Sequence, residues 1–448
     1  MKKIVILGAG PTGLGAAHEL SRRGYGNWEI YEKSDHVGGL SASFRDREGF
    51  TWDIGGHILF STDRRFNRLV DDLLGEDLLS FVRESWIWIR ESFVRYPFQN
   101  NFHLHPDKEL ILDCLVGLVE ASRRGRDFRN FEEWIGAFFG EGISRHFMLP
   151  YNRKVWAIPL DRMDFRWISD RVSVIDLKTI LRSLLLSSPE GGWGPNNNFR
   201  YPLHGGTGGF YEKFLAFTGD RLRLGRKAVR VRPHEKEIVF SDGSVERYDV
   251  LIASVPLDEL LAGLEGAPER IRDLAGKLVS NRGFMVGVGI GKSCPSSKNW
   301  MYFPENGGPF YRVTYLSNYS PNNAPPGEHF SLLAETSYSP ARPASRETIL
   351  EETIRGFIHA RLLDERDRDR IVSTWVHDVD HSYPVPFTGR DEVLGAAQGW
   401  LQEKQIYSRG RFGGWKYELA NMDHSVLQGI EAVERILDGK TERVYRIP

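Results

Sequence analysis

The apolar positions of this chain change period several times, and each change marks a new element. Ile4 to Leu7 form a short continuous apolar run, the pattern of a parallel strand covered on both faces. A glycine-rich turn follows, then Ala16, Ala17 and Leu20 at helical spacing, then a second strand over 28–31 that ends at Glu32. From 85 to 96, SWIWIRESFVRY alternates, which predicts a hairpin feeding a sheet elsewhere. Residues 106–187 read as helical, with Ile111, Leu115 and Leu118 in one row and Leu112, Val116 and Val119 in another. Within them 131–139 is short and aromatic, and Asp176 is placed to cap a helix with Leu177, Ile180, Leu181 and Leu184 on one face. The run G-G-W-G-P-N-N-N at 191–198 breaks this stretch and predicts a mobile loop. A second glycine cluster, 205–209, predicts a close approach of the backbone to some other group. Strands are expected over 227–231, 237–240 and 248–254, the last one buried. Strand patterns over 284–290, 311–316, 330–335 and 371–376, interrupted by a helix over 346–363, predict a mostly antiparallel sheet. A helix over 423–437 ends the chain, which has no internal repeat and no low-complexity tract.

The first turn carries the first chemistry. Gly8-Ala9-Gly10-Pro11-Thr12-Gly13 is a G-x-G-x-x-G lying between a strand and a helix. There Gly8, Gly10 and Gly13 let the chain turn sharply and let backbone N–H groups meet a pyrophosphate at the helix N-terminus. Glu32, 19 residues after Gly13, stands where an acidic side chain accepts hydrogen bonds from a ribose. A bound dinucleotide is therefore expected. The pair Gly38-Gly39, six and seven residues after Glu32, resembles the second glycine pair of FAD-binding oxidoreductases of the amine-oxidase type. Asp53-Ile54-Gly55-Gly56-His57 resembles the D-x-G-G-H turn that those proteins lay against the isoalloxazine ring. That resemblance implies FAD, with Gly55 and Gly56 among its contacts.

The expected fold class is α/β: a Rossmann-type FAD-binding domain with a helical insertion domain and a mostly antiparallel β-sheet substrate domain. The expected divisions are 1–78 (FAD-binding domain, first part), 79–100 (sheet-domain hairpin) and 101–195 (helical insertion with substrate flaps). Next come 196–256 (FAD-binding domain, second part), 257–390 (antiparallel sheet domain) and 391–448 (the return to the FAD-binding domain).

Composition narrows the function classes. The net charge of −1 gives no argument for nucleic acid or an anionic membrane surface. No apolar run approaches the ~18 residues that suggest a membrane span, so no membrane insertion is expected. Two cysteines, Cys114 and Cys294, make neither a disulfide framework nor a metal site. These features fit a reducing cytoplasm. With the cofactor site starting at residue 4, no signal or transit peptide is expected before it. Several of the 12 tryptophans fall in loops, which points to stacking surfaces for a ring-bearing ligand.

Longer strings then become specific. They are Y-P-F-Q-N-N at 96–101, F-M-L-P-Y-N-R-K-V-W-A at 147–157, G-W-G-P-N at 192–196 and Y-F-P-E-N-G-G-P-F-Y-R at 302–312. Y-P-V-P at 383–386 and S-R-G-R-F-G-G-W-K-Y-E at 408–418 complete the series. In order, and over nearly the whole chain, they resemble the UDP-galactopyranose mutases of the eukaryotic type. That resemblance implies an isomerase that interconverts UDP-galactopyranose and UDP-galactofuranose through a covalent adduct between reduced flavin N5 and the anomeric carbon. It implies reduction by NADPH or NADH; no second dinucleotide fingerprint is visible, so the reductant is expected in the same cleft as the nucleotide sugar. The chain is shorter than the fungal members, whose tetramer depends on peripheral elements, so a monomer or dimer is expected.

The residues in these strings suit such a substrate on their own chemistry. Arg312 and Arg411 offer guanidinium forks for a departing diphosphate. Tyr302, Tyr383 and Tyr417 offer phenolic hydrogen bonds to the same oxygens. Tyr96, Phe98 and Phe147 offer flat faces for a uracil, and Gln99 offers a paired donor and acceptor. Asn152 and Trp156 are four apart on one helical face and by resemblance reach the ribose and diphosphate. By resemblance, Arg171 and Asn196 belong to two flaps that close near the sugar. The resemblance also implies that His57 lies near the flavin and that Gly410 and Asn421 contact the cofactor. The expected catalytic residues are Arg171, Arg312, Arg411 and His57. The alternatives are a mutase for a related nucleotide sugar, a flavin amine oxidase or protoporphyrinogen-type oxidase, and a nucleotide-binding scaffold without chemistry.

Overall fold

The computed structural model describes residues 1–448 except 124, 169–170, 175, 189–193 and 195. Ile4–Leu7, almost wholly excluded from solvent, is the centre of a five-stranded parallel sheet. Val250–Ala253 and Ile406–Ser408 lie on one side of it, Trp28–Tyr31 and Leu222–Arg223 on the other. The central strands Ile4–Leu7 and Val250–Ala253 are short and wholly apolar because helices cover both faces, whereas the edge strand Leu222–Arg223 is partly exposed. Helices Pro11–Arg22 and Met422–Asp438 pack on each other over one face. Helix Arg390–Glu403, which no sequence pattern announced, packs over the other through Leu394, Ala397 and Leu401.

The second sheet has seven strands, in the order Ile371–Pro384, Ser280–Ile290, Phe330–Tyr338, Arg312–Tyr315, Trp300–Tyr302, Ser85–Ile89 and Ser92–Arg95. All neighbours are antiparallel except Trp300–Tyr302 with Ser85–Ile89. The alternating 85–95 segment is thus the edge of the large sheet.

Helices Lys108–Arg123, Phe131–Ile143, Leu149–Trp156 and Leu177–Leu186 enclose a core of Phe98, Phe102, Phe131, Trp134, Phe139 and Trp156. The Asp176 carboxylate accepts from Thr179 N, the expected cap. The inner faces are narrower than their apolar rows suggested: Leu112, Val116 and Leu181 are exposed. Such a helix needs only one stripe inside, and surplus leucines face water. Cys114 is core, and burial pushes its thiol up to about 12.

Two pairings went unseen in the sequence. Ser43–Arg45 pairs with Thr51–Asp53, and Leu78–Val82 pairs with Asn198–Pro202. The second strand hid behind its run of asparagines, yet Phe199 and Tyr201 alternate inward and Phe199 stacks on Phe81 at 5.2 Å. The close approach predicted at 205–209 is to the protein itself. A Cβ on Gly206 would lie 2.4 Å from Asp53 Oδ1, and Thr207 donates to that carboxylate from both N and Oγ1. Among the described residues no helix is long and apolar enough to cross a membrane.

Candidate active site

One cavity of about 1100 Å³ runs from the end of the first strand to the seven-stranded sheet and the helical core. At one end Gly8, Gly10, Pro11, Thr12 and Gly39 line it, with Glu32 beside them. Gly10 precedes helix Pro11–Arg22, whose N-terminal N–H groups face this space. Gly13 stands behind: a Cβ there would be 1.8 Å from Gly8 O, so only glycine lets helix and turn close. Gly38, at φ +98°, donates to Ala9 O at 2.9 Å and seats Gly39 against Gly10. Glu32 accepts from Ala9 N at 2.7 Å and from Ser34 N at 2.9 Å, which fixes its carboxylate at the cavity wall.

Gly56 and His57 line the middle; Gly55, at φ +98°, makes the turn before them. Gly410 lies under Thr12 and does not line the cavity, whereas Asn421 does. His57 Nδ1, Asp423 Oδ1 and His424 Nδ1 are buried here with no partner among the described residues, although all three residues line the cavity. A dinucleotide cradle at one end and polar groups awaiting partners along the wall fit FAD. Burial pushes His57 down to about 4, and the charges of Arg312 and Arg411 add to this against the opposing carboxylate of Glu335.

The far end is aromatic. Tyr96 and Tyr302 sit 4.9 Å apart, and Phe147 stacks on Tyr151 at 5.3 Å with an interplanar angle of 7°. Tyr151 meets Tyr302 edge to face at 5.4 Å. Phe98 is not a wall of this space; it is fully buried behind Phe147 in the helical core. Its expected place is taken by Tyr151, which follows Phe147 by one helical turn and was passed over inside its own string. Gln99 donates to Ser173 O at 2.9 Å and keeps a buried Oε1 that has no partner among the described residues. Asn152 donates to Met148 O at 2.8 Å, leaving its own oxygen for other contacts. Trp156 and Trp167 both line the cavity with buried Nε1–H groups that have no partner among the described residues, and both meet Tyr417 edge to face. Tyr383 completes the wall, its hydroxyl 3.1 Å from that of Tyr311.

Three arginines converge, and they are not equivalent. Arg312 is neutralised: Nε and Nη2 fork onto Glu335 at 2.6 and 2.8 Å. Glu335 also accepts from Gly56 N at 2.9 Å and Tyr311 OH at 2.8 Å. Burial would raise its carboxyl, but Arg312 and these hydrogen bonds hold it below the usual range. Arg411 donates to the carbonyls of Ser382 and Ala420, and its guanidinium lies 4.9 Å from the Tyr383 ring centre. Arg171 donates to Glu418 O at 2.6 Å and Asn421 Oδ1 at 3.0 Å. Among the described residues neither has a carboxylate partner. Burial lowers the proton affinity of Arg411, the mark of a cation held without an anion. Asn196 lines the cavity, and its Oδ1 accepts from Arg83 at 2.6 Å. The remainder of the two expected flaps, 191–193 with 195 and 169–170, lies outside the described residues.

The flavin-containing amine oxidoreductase family model matches residues 11–437. A crystal structure of a reduced UDP-galactopyranose mutase superposes with a TM-score of 0.96 at 42% identity, covering 99% of this chain and 96% of that one. Two curated relatives match over short stretches, so that this chain spans well under a fifth of either. The 4,4'-diapophytoene desaturase of Staphylococcus haemolyticus is 42% identical over 60 residues, 13% of this chain and 12% of that enzyme. Protoporphyrinogen oxidase 2 of Arabidopsis thaliana is 35% identical over 72 residues, 16% of this chain and 14% of that enzyme. The chain belongs to the flavin-containing amine oxidoreductase family, with FAD as its cofactor, and within that family to the lineage of the UDP-galactopyranose mutase.

Proposed function

We propose that this protein is an isomerase interconverting UDP-galactopyranose and UDP-galactofuranose. The observation that carries the reading is the pair Arg171 and Arg411, two cations beside one cavity whose hydrogen-bond acceptors, among the described residues, are all neutral. Such a pair suits a ligand that brings its own negative charge. A nucleoside diphosphate sugar also uses the rest of the wall. Phe147, Tyr151 and Tyr96 give its base a flat bed, and Gln99 Oε1 gives an acceptor for a base N–H. The indole N–H groups of Trp156 and Trp167, with Tyr302, Tyr383 and Tyr417, supply donors for ribose and phosphate oxygens.

Gly8, Gly10, Gly39, Glu32, Gly56 and Asn421 would hold the FAD, which, bound and reduced, supplies a nucleophilic nitrogen for the anomeric carbon. The chain then has three tasks. Arg171 and Arg411 stabilise the diphosphate as its bond to the sugar breaks. Arg312, locked by Glu335, offers directed hydrogen bonds with its charge already compensated. His57, neutral in this setting, can donate or accept a hydrogen bond without adding charge. We further infer NADPH or NADH as reductant, entering the same cavity, and a cytoplasmic monomer or dimer. Reduced protein incubated with UDP-galactofuranose, with products separated by chromatography, tests the assignment.

A further inference from the structure

Three consecutive main-chain carbonyls beside the cavity each accept a side-chain hydrogen bond, two of them from arginines that line it. Glu418 O takes Arg171 Nη2 at 2.6 Å, Leu419 O takes Gln428 Nε2 at 2.8 Å, and Ala420 O takes Arg411 Nη1 at 3.2 Å. Gln428 Oε1 also accepts from Gly410 N at 2.8 Å, which ties the same segment to the residue before Arg411. The segment is a single turn, Tyr417–Leu419, with no strand ladder to hold it in place. Its firmest external anchor is Arg390, the first residue of helix Arg390–Glu403 and 5% exposed. Arg390 Nη1 and Nη2 fork onto the Glu418 carboxylate at 2.8 and 2.7 Å, and Nε and Nη2 reach Asp391 Oδ1 at 3.1 and 3.0 Å. Glu418 lines the cavity; Arg390 does not.

We propose that Arg390 is a positioning residue: its fork onto Glu418 holds 417–421 as a rack on which Arg171 and Arg411 are aimed at the substrate diphosphate. The inference rests on the function proposed above. A planar two-point contact fixes the rotation of the Glu418 carboxylate, and through the backbone the direction of the three carbonyls. The acceptors on the rack are neutral, so both arginines are oriented without losing charge. A displacement of about 1 Å in such a group can cost on the order of 100-fold in rate.

The test is a double-variant cycle on the reduced holoenzyme with UDP-galactofuranose. Arg390→Met should lower kcat by about 10- to 100-fold. In an Arg171→Ala background the same change should cost at least ~3-fold less, because one of the two aimed groups is gone. A purely structural role would multiply through both backgrounds unchanged. Arg390→Lys, which keeps one contact, should fall between wild type and Arg390→Met, and it replaces Arg390→Met in the cycle if that variant does not fold. UDP affinity measured by calorimetry on the same four proteins carries the cycle independently of turnover. A wild type that does not convert the sugar would therefore sink the function and leave this inference judged by UDP binding. Equal losses in both backgrounds, or kcat and UDP affinity within ~2-fold of wild type in the Arg390 variant, overturn it.

Discussion

Arg312 and Glu335 face each other across two antiparallel strands, fork against carboxylate, at 2.6 and 2.8 Å. Glu335 also holds Gly56 N, so the pair joins the large sheet to the glycine turn before His57. Removing one partner of a buried pair leaves an uncompensated charge, at about 3–5 kcal/mol. Glu335→Gln should therefore lower stability by that order and loosen the His57 turn. The folded-state pKa of Glu335 is depressed, so its contribution is present above the unfolded value of about 4.3 and is lost as pH falls. Urea unfolding between pH 7 and 3 should show an acid-side loss in the wild type that is smaller in Glu335→Gln. Equal pH dependence in the two would contradict the pairing.

His57 should stay neutral throughout the working range. Its folded pKa of about 4 lies below the unfolded value, so the native state binds fewer protons and stability falls as pH drops from about 6.5 towards 4. Spectra of protein labelled at the histidine ring carbons should place its midpoint near 4. A midpoint near 6.5 would mean that the ring is solvated or paired in a way this structure does not show.

Arg411→Ala should cut activity by at least ~100-fold, since a charge-assisted contact to a developing anion is worth about 3 kcal/mol or more. FAD content should stay near that of the wild type, because Arg411 reaches the carbonyls of Ser382 and Ala420 and not the dinucleotide turn. Arg312→Ala should be as slow and also less stable, since it strands Glu335. Absorbance spectra for FAD and steady-state rates distinguish the two. Wild-type rates in the Arg411 variant would show the clamp to be misassigned.

The cofactor end of the cavity was legible because its logic is local. Strand, glycine turn, helix and Glu32 all fall within Ile4 to Glu32 and constrain one another. The far end was legible only through long matched strings, since its walls come from 96–99, 147–156, 302–312, 383 and 411–421. Glu335 was invisible for a physical reason: it sits in Phe330–Tyr338, a strand buried almost throughout, and its partner lies on the next strand. Nothing in a one-dimensional pattern marks a buried carboxylate as paired. Phe98 failed in the opposite way. Its string suggested a ligand wall, but its side chain points into the helical core, and Tyr151 supplies the surface instead. Arg390 carried no motif at all, because its importance lies in which carbonyls Glu418 presents.

In the proposed reaction the sugar leaves at the oxidation level at which it entered, although the flavin must be reduced. An oxidase of the same family would consume an oxidant with each product. The most direct measurement follows UDP-galactofuranose by chromatography under anaerobic conditions, with enzyme reduced once by dithionite or NADPH and the excess removed. The account predicts UDP-galactopyranose over many turnovers from that single reduction, no peroxide on admitting substrate, and no conversion by the oxidised enzyme. Full activity with oxidised flavin, or one equivalent of peroxide per product in air, would contradict it.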